Sequence, residues 1–135
     1  MKYIKLFENF SIDIYEHGRC ELFAIALHKE LDYDIYFFID NNAEFETEDG
    51  FDYGDALIHA YCKDEKNNCF DATGLVTISD IEDDHCEYVD EPEHIKVSDE
   101  MFEEYVRDGF IGDYDENEIS KIRNYIKYNY KLYSN

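Results

Sequence analysis

The stretch from Gly18 to Tyr33, GRCELFAIALHKELDY, constrains the fold more than any other part of the chain, because it is both strongly apolar and helical in period. Cys20, Phe23, Ala24, Leu27 and Leu31 fall at i, i+3, i+4, i+7 and i+11, which is one face of an α-helix. Leu22, Ile25 and Ala26 widen that stripe until the first two turns are apolar nearly all round. A helix of that kind has to be covered on every side, so the spacing predicts a central helix that the rest of the chain encloses.

Cys20 opens this helix, and its position has a chemical consequence. The unsatisfied N–H groups and the positive end of the macrodipole stabilise a thiolate in the first turn. Arg19 adds a positive charge beside it, and Gly18 allows a sharp turn or a close backbone approach just ahead of it. An isolated cysteine is more commonly a small buried hydrophobe, so Cys20 calls for partners elsewhere in the chain.

Two later segments supply them. Residues 55–62, DALIHAYC, are rich in strand formers and put His59 in mid-strand. Residues 67–74, NNCFDATG, open on an Asn-Asn turn signal and put Asp71 on the next short strand, twelve positions after His59. A hairpin holds two such side chains at fixed register, and a helix start brings up the cysteine. The chemistry of acyl transfer asks for these types: a thiolate nucleophile, an imidazole base that later acts as acid, and a carboxylate that orients the ring.

The pattern G-x-C-x-x-x-A at a helix start, then L-I-H-A-Y, then C-F-D-A-T-G, resembles the papain-like cysteine hydrolases. Its Cys, His, Asp order is most similar to the transglutaminase-like and arylamine acetyltransferase-like members. The resemblance covers residues 15–80. It implies an α+β fold, a papain-like core whose central helix packs on an antiparallel sheet, with Cys20 as nucleophile, His59 as general base and acid, and Asp71 as the orienting group. It implies a hydrolase or acyltransferase acting on an amide, peptide or thioester bond, without a cofactor. Upstream of Cys20 there is no clear Gln or Asn for a side-chain oxyanion donor; the backbone N–H of Cys20 is one candidate donor, and a second is unassigned.

At 135 residues the chain reads as a single domain, residues 1–135, with a helical C-terminal extension over 97–133. Ser98 is an N-cap ahead of the stripe Met101, Phe102, Tyr105, Val106, and Asp115 caps a second helix with the face Ile119, Ile122, Tyr125, Ile126. Between the two halves, Tyr33–Asp40 reads as a strand, the acidic run 41–55 as a surface loop, 75–81 as a further strand or turn, and 82–96 as a connector. Tyr53 in the acidic loop and Arg19 are candidate substrate-binding residues, the first for a basic or amine-bearing substrate.

The net charge of −22 excludes direct binding of nucleic acid or an anionic membrane, whose phosphates it repels. It suits a partner with a basic surface, which sets a second reading: an acidic, non-catalytic interaction protein that inhibits a host defence or nucleic-acid enzyme. The opening MKYIKLFENF is similar to the N-termini of tailed-phage proteins and has no long apolar segment of the secretory kind, so the expected compartment is the cytoplasm, the host's if the source is viral. Its apolar residues Ile4, Leu6, Phe7 and Phe10 suggest a helical turn or edge strand. Reduced thiols are then expected for the four cysteines. Cys62, Cys69, His85, Cys86 and His94 lack the C-x-x-C or H-x3-H spacing of a structural zinc, so no metal site is expected.

Overall fold

The computed structural model describes residues 12–85 and 89–135. The apolar stretch Ile4–Phe10 and Cys86 lie outside the described residues. The element order is α1 (Asp13–His17), α2 (Cys20–Leu31), β1 (Asp34–Thr47), β2 (Gly50–Lys63), β3 (Cys69–Asp71), β4 (Gly74–Val76), α3 (Ile78–His85), β5 (Pro92–Val97), α4 (Asp99–Arg107) and α5 (Glu116–Tyr128), closed by a 3-10 turn at Tyr130–Tyr133. The fold is α+β, with a five-stranded sheet in the order β4-β3-β2-β1-β5 and every neighbouring pair antiparallel.

The helix α2 is central for the reason its composition implies. All eight residues from Cys20 to Leu27 are buried. One side of the helix meets the sheet face built by Ile35, Phe37 and Ile39 of β1, Ala60 and Cys62 of β2, Phe70 of β3 and Val97 of β5. The other side is covered by α4 and α5 through Phe102, Ile119, Ile122 and Ile126, which share the main core cluster with α2. Their starts are the expected ones: Ser98 Oγ accepts from the Met101 N–H and Asp115 Oδ1 from the Glu118 N–H. Ile81 of α3 covers the opposite sheet face, over Phe38, Tyr61 and Cys69. No helix among the described residues is long and apolar enough to cross a membrane.

Three segments depart from expectation. The acidic run 41–55 is a long β-hairpin arm, turning at Glu48 and Asp49 into Gly50, whose φ of +125° only glycine takes without strain. Both faces of the arm are exposed near its tip, so burial leaves no alternation to read. The stretch 75–81 gives a three-residue strand and then α3 instead of a longer strand, because Thr77 Oγ1 accepts from the Asp80 N–H while Asp80 Oδ2 accepts from the Thr77 N–H, a reciprocal cap that starts a helix. Within 82–96, read as a connector, Pro92–Val97 forms edge strand β5, which tolerates Pro92 because its first position needs no ladder donor.

The C-terminus locks the short strands. Tyr133 is fully buried, and its hydroxyl donates to the Ala72 carbonyl at 2.9 Å, between β3 and β4. Gly74, at φ +108°, lies so close to the same turn that a Cβ there would sit 3.1 Å from the Leu132 carbonyl oxygen.

Candidate active site

Cys20 is the first residue of the twelve-residue α2 and is 9% exposed. Its sulfur lies against β2, where it accepts a hydrogen bond from the Ala60 N–H at 3.3 Å. Gly18 ahead of it has φ −137°, and a Cβ there would make only an ordinary 3.6 Å contact with the Ile14 carbonyl, so the approach to the helix does not demand glycine.

His59 is 5% exposed and sits where the β1–β2 register slips: Phe38 pairs with His59 but Ile39 pairs with Leu57. Ile58 is the extra residue. Leu57 and Ala60 both belong to the main core cluster while Ile58 joins the cluster on the opposite face, so the irregularity changes the alternation just ahead of His59, as bulges beside functional sites commonly do. His59 Nε2–H donates to Asp71 Oδ2 at 2.8 Å, and Cys20 is near enough to act on the charge of the imidazole. With Nε2 held by the carboxylate, Nδ1 is the nitrogen left for the thiol. Burial alone pushes the imidazole pKa down, but the hydrogen bonds and charges of Asp71 and Cys20 outweigh it and raise it to about 9.

Asp71 is 8% exposed, on β3 beside β2. Its second oxygen, Oδ1, accepts from the Thr73 N–H at 2.9 Å and the Thr73 hydroxyl at 2.6 Å. Burial would raise its carboxyl, yet these bonds and the His59 contact hold it below the ordinary carboxylate range. The carboxylate is therefore fixed from both ends, one oxygen on the turn and one on the imidazole.

The structure thus brings Cys20, His59 and Asp71 together and leaves the two candidate substrate contacts apart. The Arg19 guanidinium is bound to Glu118 of α5 at 3.0 Å and to the Asp113 carbonyl at 2.8 Å, so it ties the start of α2 to the helical layer. Tyr53 is exposed on the hairpin arm and donates to Glu44 at 3.1 Å. It stands six residues from His59, about 20 Å along an extended strand. His28 is half-buried, its ring joined to the Tyr33 carbonyl at 2.7 Å and to Asp99 at 2.8 Å.

Two neighbours escaped sequence reasoning. Glu21 is 6% exposed, with Oε2 3.9 Å from the Cys20 sulfur. His85 of α3 stacks on His59 with ring centroids 5.2 Å apart. A cavity of about 390 Å³ opens against the pair, lined by His59 and Asp71 together with Glu16, Asp80, Asp84 and His85. Among the described residues no group of three or more His, Cys, Asp or Glu side chains is placed to hold a metal ion.

Comparison with protein-family models, curated proteins and solved structures finds no match to the chain.

Proposed function

We propose that the chain is a papain-like cysteine hydrolase or acyltransferase that cleaves an amide, peptide or thioester bond through Cys20, His59 and Asp71. The observation that carries this reading is the buried His59–Asp71 pair at 2.8 Å beside the Cys20 thiol at the start of a helix, where the thiol acts on the charge of the ring. An imidazole bonded by one nitrogen to a fixed carboxylate, with a cysteine at a helix start beside it, has the residue set of an activated nucleophile.

In this reading the Cys20 proton passes to His59, and the pair rests as thiolate and imidazolium, which the helix start and Asp71 both favour. The thiolate attacks the carbonyl carbon, a C–S bond forms, and the carbonyl electron pair moves onto oxygen. Collapse of that intermediate expels the leaving group, which takes the proton from His59, and leaves an acyl group on sulfur. Water or an amine then attacks the thioester with His59 as base, releasing product and restoring the thiol. The carboxylates of Glu16, Asp80 and Asp84 in the adjoining cavity favour a peptide or amine-bearing group of positive charge.

One observation favours the alternative of an interaction protein for a basic partner. The hairpin arm exposes Phe45, Phe51 and Tyr53 among carboxylates, a surface unrelated to the cysteine. Pre-steady-state reaction with p-nitrophenyl acetate separates the two. The enzyme reading expects a one-equivalent burst of p-nitrophenolate with the acetyl group mapped to Cys20, abolished in Cys20→Ala and strongly slowed in His59→Ala. A burst no larger than that of Cys20→Ala overturns it and leaves the acidic interaction protein.

A further inference from the structure

We propose that the hairpin arm is a docking surface for a basic protein segment, whose Lys or Arg side chains lie over Phe51 and Tyr53 and end on Glu44 and Glu46. This surface is separate from Cys20 and independent of the cysteine chemistry. The register of the arm sorts its side chains: Glu44 pairs with Tyr53, Phe45 with Asp52 and Glu46 with Phe51. Partners across an antiparallel ladder share a face, and so do alternate residues along a strand. One face of the arm therefore carries Phe51, Tyr53, Glu44 and Glu46, with each ring opposite a carboxylate. Phe45 belongs to the reverse face, where its ring edge lies 3.8 Å from the place a Cβ at Gly54 would take.

The face is open to a partner. Pairing with β5 ends at Asp40 of β1, and β3 pairs with β2 at Cys62 and Lys63, so residues 43–54 run beyond the body of the sheet. Phe51 is 65% and Tyr53 57% exposed. Single apolar side chains scattered over a surface need no explanation, but two rings at i and i+2 on one face of a ribbon make a strip. Both lie outside the core clusters, so covering them removes apolar area from water without disturbing the core.

The four side chains select what covers them. A purely apolar partner would strip water from Glu44 and Glu46 without pairing them. An anionic partner meets like charge, and so does a second copy of this chain, which carries the same −22. A Lys or Arg side chain satisfies both halves of the strip. Its methylene stem lies on apolar surface while its head reaches a carboxylate, and a cation held over a ring face is attracted by the ring itself. The Tyr53 hydroxyl donates to Glu44 at 3.1 Å, which holds one ring beside its carboxylate. The run 41–55 contains no Lys or Arg, and Glu48, Asp49, Asp52 and Asp55 add negative charge along the ribbon. Alternate residues of a strand stand about 7 Å apart, so an extended segment with Lys or Arg at alternate positions matches the spacing of the two rings.

The probe is a synthetic peptide of alternating lysine and threonine, titrated into the full chain near physiological ionic strength, where long-range attraction by net charge is screened. In the wild type the backbone amide NMR signals of residues 43–54 should shift. Phe51→Thr combined with Tyr53→Thr keeps the net charge and the strand preference, and should weaken binding roughly 5–30-fold. Glu44→Gln combined with Glu46→Gln should weaken it at least as much. Glu103→Gln combined with Glu104→Gln, the same loss of charge at exposed positions of α4, should change it by less than about twofold. Cys20→Ala should bind as the wild type does, so a missing p-nitrophenyl acetate burst leaves this surface standing, and a failed titration leaves Cys20 untouched. Equal binding by the wild type and the ring-free variant would mean attraction by net charge alone and overturns the proposal. Absent shifts, or shifts confined to other segments such as Asp80 and Asp84 of α3, overturn it in the wild type itself, even if a variant fails to fold. A wild type that sediments as a dimer, with the ring-free variant a monomer, would put a second copy on the strip and overturn it as well.

Discussion

His59 and Asp71 hold each other in opposite protonation states, and that arrangement has a calculable signature. The imidazole is raised from 6.5 to about 9, so a contribution of roughly 3 kcal/mol is fully present below pH 6.5 and is lost as pH rises through about 9. Asp71 is lowered, so its contribution is present above the ordinary carboxylate pKa and is lost as pH falls toward it and below. Asp71→Asn tests both at once. The variant should fold, its imidazole should titrate below the wild-type value in an NMR titration, and its decline in melting temperature between pH 7 and 9.5 should shrink. Acyl turnover should drop by roughly 10³-fold or more, since an amide does not hold the ring in the required tautomer. An unchanged His59 titration would remove Asp71 from the site. The three residues were legible in sequence because each sits in a short local pattern: a cysteine at an apolar helix start, a histidine in a strand, an aspartate after a turn. Glu21 was not, because a glutamate in a first helical turn ordinarily means a solvated residue helped by the dipole, and only tertiary burial by α5 and the Gly112 loop makes it otherwise.

At the scale of elements, the site depends on how the short strands β3 and β4 are pinned. Asp71 ends a three-residue strand that has few ladder bonds of its own, and the Tyr133 hydroxyl on the Ala72 carbonyl holds the turn that follows it. Gly74→Ala tests this pinning. The new Cβ would combine a strained φ of +108° with a 3.1 Å approach to the Leu132 carbonyl, costing roughly 1–3 kcal/mol, so a thermal melt should show a drop of several degrees. Retention of the wild-type melting temperature would mean that the C-terminal turn moves aside without cost. The helices α2, α4 and α5 were readable from period and caps, since their stripes face a core and their ends carry Ser98 and Asp115. The outer hairpin and β5 were not. The arm 43–54 is bathed by solvent on both faces and so lacks a buried alternation, while β5 hides in an acidic segment and is stabilised by pairing with β1, a partner more than fifty residues away in sequence. The register slip at His59 was equally invisible, because a bulge is a property of two strands and no single stretch announces it.

For the molecule as a whole, a net charge of −22 surrounds a site that, in the proposed function, works through a negative sulfur. The groups around that sulfur are the start of α2, the Ala60 N–H on Sγ and the His59 ring, at the short range where screening by salt is weakest. The other described thiols lack this help. Cys62 is fully buried and donates to the Ala24 carbonyl, and burial pushes its pKa well up; burial raises Cys69 as well. The most direct measurement is therefore peptide mapping of all four cysteines after limited alkylation with iodoacetamide at pH 6. The account predicts that Cys20 is modified first, by roughly tenfold or more over Cys62 and Cys69. Faster labelling of Cys62, Cys69 or Cys86 than of Cys20 would contradict it.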